Sequence, residues 1–470
     1  MSVQAMPRDY SLTGAAGQAV PLDDFDIESR MDGVWWKPTL PRQEMRAFME
    51  RTDGPALAHF GLWFVLLAAS GTWAALAWGT WWAVPAFLVY GTIYSSADAR
   101  WHECGHGTPF RTQWLNELFY HISSFLTLRE AYMWRWSHSR HHTDTYFVGL
   151  DPEIQVQRPA DLLKIVMDFL YLRSGPPEVW RVVRNAFGRP AADVRHFVPE
   201  AERSKMYWSS RVYVAIIVGF AIWSIAIWSF LPMMFILLPR FYGGWLHQLL
   251  GLTQHAGLGE DTHDHRENTR TVFVNPVYRY LYMNMNYHIE HHSMPMVPYH
   301  ALGRFHEAVK DQMPPAYPNL WVVYKEMIPA LIKQATEDPS YQIMRPTPTE
   351  KGRSAEVEAT AAATADSEWI EVCPIGQLEE NDVVRVDHGG RFFAVCRLEG
   401  DAYHATDGLC THEYADLTDG IVFDGVIECP LHNGRFDVVS GDAVRSPACG
   451  SLQTYPVEVR GDGIFLRVRT

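Results

Sequence analysis

Three short runs of histidine are the residues best placed to do chemistry: His102-Glu-Cys-Gly-His106, His138-Ser-Arg-His141-His142 and His288-Ile-Glu-His291-His292. Within each run the spacings are three and four residues, which on an α-helix put side chains on one face a turn apart. Eight imidazoles exceed the four ligands of a single tetrahedral zinc, and a set this large suits a pair of redox metal ions. Imidazole accepts zinc, copper, iron and nickel alike, so spacing by itself does not name the metal. Any one histidine is more often a polar residue on a solvated helix, but three clustered runs fit that reading poorly. A bis-histidine haem would place single histidines on facing helices and would not call for doublets such as His141-His142.

Elements must carry these runs, and their texture is membrane-like. The chain has 470 residues, enough for two or three domains. Its mean hydropathy of -0.15 averages over a strongly segregated sequence. From Ala56 to Trp82 the chain is almost wholly apolar, and a second apolar run extends from Trp82 to about Ala97. A bilayer core needs about 20 apolar residues per helix. A hairpin is therefore expected, turning near Trp78-Gly-Thr-Trp-Trp82, where tryptophans cluster as they do at membrane interfaces. A second hairpin is expected from Val212 to about Leu238 and on to His255, turning near Phe230-Leu-Pro232. The apolar run 114–128 is shorter and reads as an interfacial or buried helix. Lys and Arg gather in 38–51, 158–205 and 266–353, away from both turns. By the positive-inside rule both termini and all three histidine runs face the cytoplasm, and a bacterial inner membrane is the expected location.

Residues 1–55 are polar and broken by Pro7, Pro21, Pro38 and Pro41, a soluble lead-in with no secretory signal expected near Met1. The membrane domain is assigned to 56–344. Residues 345–367 begin with prolines and continue as an Ala/Thr/Glu/Ser run without aromatics, the composition of a flexible linker. From 368 to 470 short β-rich runs (Val383–Val386, Phe392–Val395, Val422–Ile427, Gly463–Val468) alternate with Gly and Asp, which predicts a small all-β domain. The fold class is thus a mainly α membrane domain, two transmembrane hairpins under a cytoplasmic histidine-rich cap, followed by a small all-β domain. Residues 367–470 hold 8 Lys+Arg against 18 Asp+Glu, so most of the net charge of -14 sits in the tail. That argues against nucleic acid and for a basic protein partner. Six cysteines do not make a disulfide framework at this length, which points to a reducing compartment.

The tail has its own site. Cys410-Thr-His412 and Cys429-Pro-Leu-His432 are separated by residues 413–428. The pattern resembles the Rieske signature, in which two Cys bind one iron of a [2Fe–2S] cluster and two His bind the other. A Cys2His2 zinc site is the alternative, disfavoured by the short Cys-x-His spacing of the first pair. No cysteine closely follows either pair, so the tail is more similar to a soluble Rieske ferredoxin than to the disulfide-bearing respiratory type. Cys104, Cys373, Cys396 and Cys449 read as structural small apolar residues.

The three histidine runs, set around two apolar hairpins, resemble the integral-membrane fatty acid desaturase and hydroxylase superfamily over roughly residues 50–310. The resemblance implies two non-haem iron ions that activate O2 and attack an unactivated C–H bond, held by His102, His106, His138, His141, His142, His288, His291 and His292. It also implies a further histidine near the end of the last membrane helix. His255, in Thr253-Gln-His-Ala, is the better match and His247 the alternative. The segment Asn284-Met-Asn-Tyr-His-Ile-Glu-His-His, with Met296-Val-Pro-Tyr-His-Ala-Leu, is most similar to the branch containing rhizopine-catabolism oxygenases. That branch is linked to hydroxylation or oxidative demethylation of small molecules as well as to acyl desaturation. Asp144, Asp151 and Glu290 could accept hydrogen bonds from ligand N–H groups, or sit at the surface. Trp134, Trp136, Met283, Met285, Met294 and Met296 could line a substrate cavity, or simply pack.

Three functions follow. The favoured one is a membrane di-iron monooxygenase that hydroxylates or oxidatively demethylates, with electrons from its own fused Rieske domain. A fatty acyl desaturase using the same centre is the second, and a membrane electron-transfer protein passing electrons to a haem is the third. No Gly-rich dinucleotide fingerprint follows a strand, so a separate NAD(P)H-dependent flavin reductase is expected as partner, beside membrane lipid and a small-molecule or acyl substrate.

Overall fold

The computed structural model describes residues 10, 12, 35–348, 367–412, 414–448 and 450–469. Most of the expected lead-in lies outside the described residues, as do residues 349–366 of the expected linker. The described residues form two compact units, a helical one that includes residues 35–293 and 297–348 and one built of strands from residue 367.

The helical unit starts from helix α1 (Asp53–Ala77), a turn at residues 78–82, and α2 (Ala83–Ser95). The turn falls at the tryptophan cluster, with Gly79 in the left-handed region at φ 81°. Ala74 and Ala77 pack with Ala86, Phe87, Tyr90 and Tyr94 of α2. The outer face of α1 leaves Leu57, Leu62, Val65 and Leu76 exposed, so this helix is apolar all round, as a membrane helix is. Beyond Ser96 the chain continues as α3 (Ala97–His106), then α4 (Gln113–Leu126) over the shorter apolar run, then α5 (Ala131–Thr143).

The second long apolar helix is α6 (Glu200–Ala226), with Val212, Val218, Ile222 and Ile225 exposed. Two helical stretches, residues 42–77 and α6, are long and apolar enough to cross a membrane. The second return arm differs from the long arm that the apolar run predicts. After α6 the chain is cut into Leu231–Ile236, Pro239–Gly243 and α7 (Trp245–His255). Pro232 and Pro239 each sit in the first turn of a piece, where the missing N–H costs nothing but a preceding helix cannot run on. The middle piece lies so close to α2 that a Cβ on Gly243 would come within 2.0 Å of the Gly91 backbone. Later helices of the unit include α8 (His288–Ser293), α9 (Leu302–Val309) and α10 (Leu320–Thr336).

The strand unit holds three antiparallel sheets, ordered β1-β11-β10, β2-β3-β4-β9 and β5-β6-β7-β8. The strands are β1 (Ser367–Pro374), β2 (Asp382–His388), β3 (Arg391–Leu398), β4 (Ala402–Asp407), β5 (Ile421–Phe423), β6 (Val426–Glu428), β7 (Arg435–Asp437), β8 (Ala443–Arg445), β9 (Thr454–Tyr455), β10 (Val457–Arg460) and β11 (Gly463–Arg469). Val422–Ile427, expected as one strand, is a two-stranded hairpin. Asp424 and Gly425 both take positive φ, 48° and 77°, the backbone of the tight Asp-Gly turn. Val383, Cys396, Leu417, Ile427 and Phe436 form a core cluster that includes Cys410 and Cys429.

Candidate metal centres

The histidines sit where helices end. His102 and His106 lie on α3, which stops at His106 because Gly107 adopts the left-handed conformation (φ 68°) and donates its N–H to the Cys104 carbonyl at 3.0 Å. His138, His141 and His142 occupy the last turns of α5, whose start is fixed by Glu130 accepting the N–H groups of Tyr132 and Met133. His255 is the last residue of α7, and His288, His291 and His292 make up half of α8. Four helices therefore each bring histidines to one region.

The side chains meet in two groups. Histidines 102, 106, 138, 142 and 291 form the first, and 141, 255 and 292 the second, with nitrogens within 4.8 Å of one another in each. His288 joins the second, its Nε2 lying 3.0 Å from Nε2 of His255 and 3.1 Å from that of His292. In the first group, Nε2 of His138 is 3.1 Å from His106 and 3.2 Å from His142, which is itself 3.2 Å from His291. His255 is thus among the clustered histidines and His247 is not. His247 turns its Nδ1 toward Asp98 Oδ2 at 3.4 Å.

The opposite ring nitrogens face outward to fixed partners. His141 Nδ1 meets Asp151 at 2.9 Å, His138 Nδ1 meets Glu153 at 3.1 Å, and His255 Nδ1 donates to the Asn268 carbonyl at 2.8 Å. Thr145 lies 3.2 Å from His292 Nδ1, and the Gln254 amide 3.2 Å from His288 Nδ1. His138, His141 and His255, whose Nδ1 protons face acceptors, present bare lone pairs at Nε2. Several such lone pairs facing one another repel unless a cation lies between them. Metal–imidazole bonds of about 2.1 Å set two ligand nitrogens at right angles about 3.0 Å apart, close to the spacings here. His102 Nε2 is buried without a hydrogen-bond partner, a further mark of a site built for a metal. The residues fit the group.

Burial and the neighbouring imidazoles hold His138, His142, His288, His291 and His292 well below the ordinary imidazole range, so these rings are neutral. At His141 burial works against the charge, but Asp151 outweighs it and the net shift is upward.

Of the three acids expected around the ligands, Asp151 alone meets a clustered histidine. Asp144 pairs with Arg140 at 2.6 Å, one helical turn back along α5. Glu290 turns away from the cluster and pairs with His306 of α9 and Thr271. On a helix, the residue between His288 and His291 necessarily points elsewhere. Glu153, Thr145 and Gln254 were not foreseen, and neither was His265, which is buried against His292 with ring centroids 5.1 Å apart. Glu153 lies two residues past Asp151, and its N–H donates to Asp151 Oδ1 at 2.7 Å, so one short loop hands a carboxylate to each histidine group.

A cavity of about 460 Å3 opens beside the histidines. Its wall includes His102, His138 and His288 together with Asp98, Arg129, Trp134, Glu178 and Arg240. Arg129 Nε contacts Asp98 at 2.9 Å, Arg240 contacts the same carboxylate, and the Arg129 guanidinium lies 3.9 Å from the centre of the Trp134 ring. Trp134 donates its indole N–H to Glu178 at 2.6 Å. Met285 also borders the cavity, whereas Trp136, Met283, Met294 and Met296 do not.

In the strand unit, the loops after β4 and β6 are built alike. Cys410 donates its N–H to the Ala415 carbonyl and accepts from Tyr414 N–H, both at 2.9 Å. Cys429 repeats this with Gly434 (2.8 Å) and Asn433 (3.1 Å), and Tyr414 and Asn433 hold positive φ at matching positions. His412 and His432 face each other through Nδ1 at 3.1 Å. Both cysteines are buried, and Cys104, Cys373 and Cys396 are unbridged; Cys449 lies outside the described residues.

A helical unit that gathers nine histidines, followed in the same chain by a β unit with two Cys-His loops, defines an oxidoreductase joined to an iron–sulfur carrier. The chain belongs to the fatty acid desaturase family, whose profile matches residues 79–324, and its Rieske [2Fe-2S] domain covers residues 368–456. These assignments make it an O2-dependent oxidoreductase. The β unit is similar to ferredoxin components of dioxygenase systems. That of the naphthalene 1,2-dioxygenase system of Pseudomonas aeruginosa is 41% identical over 98 residues, 21% of this chain and 93% of the relative. The Pseudomonas putida counterpart is 44% identical over 91 residues, 19% of this chain and 86% of the relative. The ferredoxin component of biphenyl 2,3-dioxygenase of Rhodococcus jostii (strain RHA1) is 34% identical over 95 residues, 20% of this chain and 88% of the relative.

Proposed function

We propose that the protein is a membrane-bound non-haem di-iron monooxygenase that hydroxylates or oxidatively demethylates a polar substrate, with electrons supplied through its own Rieske domain. His102, His106, His138, His142 and His291 would hold one iron, and His141, His255, His288 and His292 the other. Cys410 and Cys429, with His412 and His432, would hold the [2Fe–2S] cluster. When bound, the iron pair supplies the capacity to activate O2 and attack a C–H bond. The chain's own residues do the rest. Asp151, Glu153 and the Asn268 carbonyl fix the tautomer and orientation of the rings they touch. The cavity wall positions the substrate and limits water beside the histidines.

The cavity carries the choice of reaction. An acyl chain would lie against a wall that includes the Asp98–Arg129–Arg240 ion pairs and the Trp134–Glu178 hydrogen bond, to which methylenes offer no polar contact. A compact substrate with hydroxyl, amino or carboxylate groups would offer one. Acyl desaturation is the second reading, favoured by membership of the desaturase family. Electron transfer to a haem is disfavoured, because nine histidines in two groups exceed what a haem needs. A flavin reductase using NAD(P)H is the proposed partner. The apolar helices are read as membrane anchors, with the histidine groups and both termini on the cytoplasmic side of a bacterial inner membrane.

Turnover under 18O2 with NADH and a generic ferredoxin reductase tests the proposal, using panels of methylated polar compounds and acyl lipids. Gain of one labelled oxygen, or loss of a methyl group as labelled formaldehyde, is expected. Loss of two hydrogens with label in water alone would establish the desaturase reading instead. The purified protein is expected to contain about four iron atoms and about two labile sulfides per chain.

A further inference from the structure

A column of rings runs from the outside of the helical unit to the second histidine group. The half-buried Trp35 stacks on His265, with ring centroids 4.2 Å apart and planes within 14°. His265 is 2% exposed, its Nδ1 has no hydrogen-bond partner, and its ring lies 5.1 Å from that of His292. Phe147 and His263 flank Trp35 at 6.1 and 5.1 Å. The segment bearing Trp35 is anchored. Trp36 donates its N–H to the His263 carbonyl at 3.2 Å, Arg266 lies over the Trp36 ring, and Thr39 exchanges two hydrogen bonds with the Gln312 side chain. A ring column held this firmly costs ordering entropy, and no packing need explains why it leads to a clustered histidine.

We infer that Trp35 and His265 form the route by which single electrons from a reduced iron–sulfur cluster reach the histidine-bound metals. Electron tunnelling weakens steeply with every gap between atoms, and a run of neighbouring rings, stacked at Trp35–His265 and tilted at His265–His292, shortens the gaps. In the step, one electron leaves the reduced cluster and one ferric ion beyond His292 becomes ferrous. No bond forms or breaks, and the indole returns to its starting state. The inference rests on the proposed iron occupancy of the histidine groups. It assigns Trp35 no contact with substrate.

The test is anaerobic stopped-flow on the full-length, iron-loaded protein. One equivalent of NADH with a ferredoxin reductase bleaches the Rieske chromophore, and recovery of its colour reports the onward electron. Trp35→Leu and Trp35→Met are expected to slow recovery at least about tenfold, a barrier change of about 1.4 kcal/mol, and Trp35→Phe to slow it far less. Iron content and Rieske potential are expected to stay at parent values in all three. The two non-aromatic variants guard against one of them failing to fold. Recovery within about twofold of the parent in both, or equal slowing in Phe, Leu and Met variants, would overturn the relay, the second result pointing to packing. If the parent itself shows no recovery, the iron reading falls and the relay falls with it, an outcome distinct from a variant-specific null.

Discussion

At the scale of single residues, the division of labour between the two ring nitrogens decides how the histidines can act. At His138, His141, His255 and His292, Nδ1 is tied to a carboxylate, a carbonyl or a hydroxyl, which leaves Nε2 for the cluster. Glu153 fixes His138 in this way. Replacing it by Gln removes the carboxylate charge that secures the Nδ1 proton, and iron affinity is expected to fall about 10–100-fold. Equilibrium dialysis with ferrous ion and metal analysis of the purified variant would measure it. The clustered histidines were legible in the sequence because a spacing of three or four residues is a statement about a helix face. Asp151 could be guessed for the same region. Glu153, Thr145 and Gln254 could not, because they reach the rings from loops or from another helix, and no periodicity relates them. The misplacement of Glu290 has the same root: its neighbours in sequence are clustered, and the helix turns it toward His306.

Elements explain why the histidines meet. α3, α5, α7 and α8 end at the site, and α7 reaches it as the last of three short helical pieces following α6. The apolar runs marked where the chain is membrane-like and where it turns. They did not reveal that the second return arm is broken, because hydropathy is blind to the prolines that cut it. Nor did they reveal the contact of Gly243 with Gly91, a close backbone approach of the sort small residues permit between membrane helices. Gly243→Ala would force these backbones apart, at about 1–3 kcal/mol or more. We expect a lower melting temperature and reduced iron content, since His255 hangs on the same arm; a variant as stable and iron-rich as the parent would refute the role of this contact. In the β unit the four Cys-His positions and the extended runs were legible. The Asp424-Gly425 turn shows that two residues of backbone preference outweigh the four β-like residues around them.

At the scale of the whole molecule, the two units share one chain. A tethered carrier works at an effective concentration that free ferredoxin reaches only at millimolar levels. Ending the chain at residue 366 is therefore expected to abolish NADH-driven turnover at micromolar protein, and millimolar Rieske domain added in trans to restore it in part. Turnover of the shortened chain at parental rate with reductase alone would show that the reductase feeds the helical unit directly. The composition change near residue 345 was enough to foresee two units, because a segment without aromatics cannot build a core.

The inward-facing nitrogens also bear on how a cell must assemble this protein. A donor set made of neutral imidazoles does not discriminate in favour of iron. Among divalent ions such ligands bind copper and zinc more tightly than ferrous ion. Fidelity must then come from supply, with the site filled while free zinc and copper are scarce. Overexpression in zinc-rich medium is expected to yield a well-folded protein whose β unit keeps its colour while the histidine groups hold zinc. Metal analysis of such a preparation would show it, and an oxidoreductase that looks intact by every measure of folding would stand silent until its zinc was stripped and iron returned.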